Sequence, residues 1–166
     1  MGENRRYSAM AVTALFVVAV ASIVYQVMAN RPRGLVVPEY YYTTDEGGTW
    51  FSAPATLLPP FDHKGKPAVR AWVYQCSGKE FVAYLERFTD EARRLGAQAE
   101  QALQNAKKGD EAPPILWQAA EARRSGRQVK RPGDKEWVSA GSREGVAIMD
   151  VKCPPGMSGT PQLVEP

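Results

Sequence analysis

The chain has 166 residues, 21 of them Lys or Arg and 18 Asp or Glu, for a formal net charge of +3. So even a balance argues against a nucleic-acid footprint, which needs a concentrated basic surface. One histidine and two distant cysteines fall short of the closely spaced ligand set of a structural zinc site, so neither a metal nor a cofactor is expected.

After a short basic N-terminus, residues 1–6, no charge interrupts the chain from Arg6 to Arg31. Residues 7–30 are long and apolar enough to cross a hydrocarbon core of about 30 Å as one helix. Arg5, Arg6, Arg31 and Arg33 flank the run, with Tyr7 and Tyr25 near its ends as interfacial aromatics. The expectation is an uncleaved signal-anchor in a bacterial inner membrane, with the lipid bilayer as a partner and the C-terminal part exported. A cleaved signal peptide ending at Val27-Met28-Ala29 is the competing reading. Residues 31–38, with Pro32, Gly34 and Pro38, read as a linker.

The folded part is expected over residues 39–153, roughly enough chain for one small core. Tyr40–Thr44 and Thr49–Ala53 are β-prone runs around Asp45-Glu46-Gly47-Gly48, which predicts a hairpin. Thr43, Asp45, Gly47, Thr49 and Trp50 also have the spacing of the Asp-box, a hairpin turn of sialidase-like propellers. A single copy over residues 43–50 resembles that structural device and nothing more. In the Pro-rich stretch that follows, His63 sits between Asp62 and Lys64 and reads as a solvated turn residue.

Residues 68–87 carry the strongest β signal, two strands around Ser77-Gly78-Lys79. Alternation puts Val69, Ala71 and Val73 on one face, and Trp72, Tyr74 and Cys76 on the other. On the returning strand it groups Phe81, Ala83 and Leu85 against Val82 and Tyr84. From Thr89 the period becomes helical, with Thr89 as N-cap and a thin stripe of Ala92, Leu95, Ala99, Leu103 and Ala106. Pro113-Pro114 restarts a second helix, closed by Gly126. Arg123, Arg124, Arg127, Lys130 and Arg131 form the most basic stretch, read as a solvated or lipid-facing surface. Strands are then expected over RQVKR, EWVSA and VAIMDVKC, with Val138, Val146, Ile148, Met149 and Val151 in the core. Residues 154–166 hold too little apolar content and are expected to be a disordered tail. The predicted fold class is α+β: the spanning helix, then a mainly antiparallel sheet with two helices on one side.

Cys76 and Cys153 each end a predicted strand, and no third cysteine competes, so they are expected to form a disulfide. Such a bond persists in oxidising compartments and points to an exported domain.

The segments TDEGGTWF, PPFDHKGKPAVRAWVYQC, FVAYLERF, VKRPGDKEWV and the late Cys-Pro resemble an uncharacterised group of small, single-anchor bacterial envelope proteins. That resemblance covers most of residues 40–155. It implies anchoring and a bacterial host, and it lends no functional residues.

Without a catalytic constellation, the leading expectation is a non-enzymatic domain that binds or scaffolds a protein partner, as an accessory subunit of a membrane complex. Tyr40, Tyr41, Tyr42, Trp50, Trp117 and Trp137 are its candidate contacts. One alternative is a glycan or peptidoglycan binder using Trp50 and Tyr40–Tyr42 as a stacking platform. Another is a small hydrolase pairing Cys76 or Cys153 with His63.

Overall fold

The computed structural model describes residues 37–107 and 111–166, together with Ser22, Tyr25 and Gln26. The chain divides into two compact units, Met1–Val36 and Val37–Pro166. Of the first, only the three isolated positions are described, all helical and exposed.

The second unit runs β1 (Glu39–Thr43), β2 (Phe51–Pro54), β3 (Phe61–His63), β4 (Lys66–Cys76), β5 (Lys79–Phe88), α1 (Asp90–Asn105), α2 (Ile115–Ser125), β6 (Arg127–Lys130), β7 (Val138–Ser139), α3 (Arg143–Met149) and β8 (Gln162–Leu163). Every described strand pairing is antiparallel. The main path is β2-β1-β4-β5-β6-β7, and β3 and β8 also pair with β4. Strand β4 therefore organises the sheet: it meets β3, β1 and β8 at successive positions and β5 along most of its length.

The expected N-terminal spanning helix falls almost wholly outside the described residues. Among the described residues no helix is long and apolar enough to cross a membrane. The longest, α1, has 16 residues and carries Asp90, Glu91, Arg93, Arg94 and Glu100, where a span needs about 20 apolar ones. The fold class is corrected accordingly to an antiparallel sheet with three described helices, and the single-pass inner-membrane localisation is withdrawn. Residues 7–30 and the flanking Arg5, Arg6, Arg31 and Arg33 lie outside the described residues, save the three isolated positions.

Local chemistry explains the hairpins. Ser77 and Gly78 have φ of 51° and 78°, the positive pair of a primed two-residue turn that matches strand twist. Lys64 and Gly65, at 55° and 79°, repeat the device between β3 and β4. His63 is thus a strand residue, its ring stacked on Phe51 at 4.0 Å, and not the solvated turn residue expected.

The β4–β5 pairing holds a correction to the predicted faces. Trp72 pairs with Tyr84 but Val73 pairs with Val82, so Ala83 is an extra residue in a bulge. Alternation is broken there. Val82 joins Ala71, Val73 and Leu85 on one side of the sheet, with Tyr41, Trp50, Val69, Trp137 and Val164 packed around them. Ala83 and Tyr84 go to the other, with Trp72, Tyr74, Val129, Val138, Ala140, Ile148, Met149 and Val151.

Two further expectations are overturned. The last predicted strand is instead α3, whose N-cap is Ser142: the Ser142 hydroxyl accepts from Gly145 N–H at 3.0 Å. Its helical period buries Ile148 but leaves Val146, an expected core residue, 56% exposed. The tail expected to be disordered contributes β8, which pairs with Tyr74 and Gln75. Val164 N–H donates to Val73 O at 3.0 Å, and Ser77 Oγ donates to Ser158 O at 2.7 Å. The expected disulfide is formed. Cys76 and Cys153 are bonded with Cα atoms 5.9 Å apart, although Cys153 follows a helix and does not end a strand.

Candidate functional site

The six aromatic candidates separate once the sheet is built. Tyr42 is fully buried, its hydroxyl 3.3 Å from both Pro54 O and Leu57 O. Burial raises its pKa above the ordinary phenol value. Tyr40 lies under the Arg70 guanidinium, 3.4 Å from the ring centroid. Tyr41 and Trp50 cover the Ala71–Val73–Leu85 cluster, and the Tyr41 hydroxyl donates to Glu165 O at 3.3 Å. Trp137 joins that cover, its ring flanked by Arg87 at 4.5 Å and Lys130 at 5.2 Å. Tyr40 and Tyr42 therefore do not share a face with Tyr41 and Trp50, the four residues of the glycan-binding alternative.

Trp117 is different. It stands on α2 and is 76% exposed, the most exposed large hydrophobic residue described in Val37–Pro166. An exposed Trp on a stable scaffold is the residue type that anchors interfaces. Beside it lies a groove of about 710 Å³ between α1 and α2, lined by Thr89, Ala92, Leu95, Gln118, Ala122 and Ser125 among others. Glu91 and Glu121 are the charged groups on this lining, and Glu121 pairs with Arg124 at 3.2 Å.

The groove follows from the small residues of the two helices. Ala92, Gly96 and Ala99 are the buried positions of α1, and Ala119 is that of α2. With so little side-chain volume, the pair approaches closely along one line and leaves a trough beside it. Its base is closed by Thr89, whose hydroxyl accepts from Ala92 N–H at 3.4 Å while its own N–H donates to Gly126 O at 2.9 Å. A Cβ on Gly126 would sit 2.4 Å from Thr89 Oγ1, so glycine is required by the close approach. Arg93 donates to Pro60 O at 2.6 Å and fixes α1 to the loop before β3.

The sequence reading missed a buried carboxylate. Glu86 is 2% exposed and accepts from Arg127 Nε at 2.7 Å, Trp72 Nε1 at 3.2 Å and Arg70 at 3.5 Å. Arg70 is also stacked between Tyr40 and Trp72, 4.1 Å from the latter. The available signal was an acidic residue at an inward strand position opposite an arginine, Arg70↔Glu86 in the register. Lys130, expected in a solvated basic stretch, is likewise buried, with Glu46 as its ion-pair partner. These groups are fully partnered and belong to the core.

The β1–β2 turn is a separate polar knot. Asp45 accepts from Thr49 N–H at 2.9 Å, from the Thr49 hydroxyl at 2.7 Å and from the Thr43 hydroxyl at 2.7 Å. The bond from Thr49 N–H, followed by the two hydroxyls, lowers its pKa to about 2.

The hydrolase alternative needs a free thiol beside His63. Both sulfurs are spent in the disulfide, and His63 stacks on Phe51. Among the described residues, no three His, Cys, Asp or Glu side chains come together to hold a metal ion.

Fold and site together define a disulfide-stapled α+β domain with a Trp-flanked helical groove. No family model, curated protein or solved structure matches the chain.

Proposed function

We propose that this chain is a non-catalytic binding domain whose α1–α2 groove takes a segment of a protein partner. The observation that carries this reading is Trp117, left 76% exposed on the rim of a groove built by helices that are otherwise short of large side chains. Keeping an indole in water is unfavourable, and covering it on association is worth several kcal/mol in the interfaces where Trp is the anchor, about 2 or more on truncation. The Glu91 carboxylate on the lining suits a partner segment with a basic side chain, which the indole face also attracts.

The test compares the wild-type chain with Trp117→Ala as cross-linked baits in the native host. One partner captured by the wild type and weakened roughly 30-fold by the substitution supports the reading. Equal capture by both baits, or a wild-type chain that always runs alone, refutes it.

A further inference from the structure

We propose a second, independent binding site: a cavity beneath the β5 bulge that takes a small amphipathic anion, an apolar body with one anionic head. The cavity has a volume of about 670 Å³, within the range of small-molecule sites. Three segments converge on it: the bulged part of β5, Arg131 and Pro132 just after β6, and the stretch from α3 to Pro155. Its apolar wall includes Ala83, Ile148, Val151 and Pro154, and its basic rim is Arg131 and Lys152.

The bulge is what opens this space. Ala83 has no partner on β4, and the shift in register places a methyl group where the neighbouring positions carry Val82 and Tyr84. Bulges are over-represented beside binding sites for this reason: they re-aim the strand locally. Ile148 is 5% exposed and gives the opposite wall a fixed apolar surface. The wall from Asp150 to Pro155 is tied to the end of β4 by the Cys76–Cys153 bond. A preformed wall lowers the ordering cost of binding.

Charge at the rim selects the ligand. Asp150 is the acidic group on the lining, and it pairs with Lys152 at 3.8 Å. Arg131 donates to Ala147 O at 3.2 Å, which orients the guanidinium without neutralising it. It makes no ion pair among the described residues. A carboxylate or sulfonate head can meet those remaining donors while the body lies against Ala83, Ile148 and Val151.

The experiment titrates the full, oxidised chain with anilinonaphthalene sulfonate and with its uncharged parent, N-phenylnaphthylamine, following probe fluorescence. Saturable one-to-one binding of the sulfonate, at least about tenfold tighter than the neutral probe, is expected. Arg131→Gln should bring the sulfonate down to the neutral probe's affinity. Ala147→Phe, at an exposed position on the lining, should abolish binding of both. Each variant is accepted only with an unchanged melting midpoint, which separates the cavity from probe uptake by loosened protein. Absence of saturable binding, equal affinity for the two probes, or an Arg131→Gln variant that keeps the wild-type preference overturns the proposal.

Discussion

Replacing Glu86 with glutamine removes the negative charge that holds two guanidinium groups and an indole N–H in the core. The carboxylate is 3% exposed at the side chain, against 18% for Arg70 and 34% for Arg127, so water screens the site little. Arg70 cannot swing away without leaving Tyr40 and Trp72, at 3.4 and 4.1 Å from its central carbon. The amide oxygen of the substituted side chain can still accept from one donor, but its NH₂ must then face a cation. Breaking a buried ion pair from one side costs about 3–5 kcal/mol, a large part of the roughly 5–15 kcal/mol that stabilises such a domain. For a unit of this size that corresponds to a fall of roughly 10–20 °C in Tm. Urea unfolding followed by tryptophan fluorescence measures it, with an unchanged m-value as the sign that only stability moved. Glu86→Leu combined with Arg70→Met and Arg127→Leu should recover part of the loss, because no member of the cluster is then left as an unpaired charge. A Glu86→Gln variant within about 1 kcal/mol of wild type would refute the claim that this cluster is a coupled, desolvated unit.

Cys153→Ser opens a loop between positions separated by 77 residues, for a loss of about 4.5 kcal/mol on the chain-entropy model; denaturant melts without reductant test it, and two labelled thiols in the unfolded, unreduced wild type would contradict the bond. Gly145→Ala should cost about 1–3 kcal/mol, because a Cβ there would lie 2.1 Å from Ser139 O; a thermal melt at wild-type temperature would contradict the packing of α3 on β7. Asp45, held at about 2 by Thr49 and Thr43, stabilises the β1–β2 turn above the ordinary carboxylate range, and that contribution is lost as pH falls from about 4 through 2. A carboxyl carbon NMR titration should place its midpoint near the lower end of that window, and a midpoint near the ordinary value would show the knot is not formed. Trp117→Ala should leave stability within about 0.5 kcal/mol, since its ring is mostly in water; a large loss would mean that the ring packs against the scaffold.

Features written into a few neighbouring residues were legible in the sequence. Ser77-Gly78 sets the β4–β5 turn, Thr89 caps α1, and the Tyr40–Ala53 stretch pairs as a hairpin, because turn dihedrals and cap bonds are satisfied within four residues. The pairing of Cys76 with Cys153 followed from there being only two cysteines. What escaped depended on partners distant in the chain. The bulge at Ala83 exists only against β4, and it moved Val82 to the face of Leu85. The short apolar run Val146–Met149 has no period that separates strand from helix, and the Ser142 cap with close packing of Gly145 on Ser139 decided for α3. The tail around Gln162 has too few apolar groups to fold alone; it is ordered by the backbone groups β4 offers and by the staple at Cys153. The same distinction holds for the site. Sequence could name Trp117 as one aromatic among six, but exposure is a property of what the rest of the chain covers, and only the tertiary structure buries Tyr42, caps Tyr40 and leaves Trp117 open.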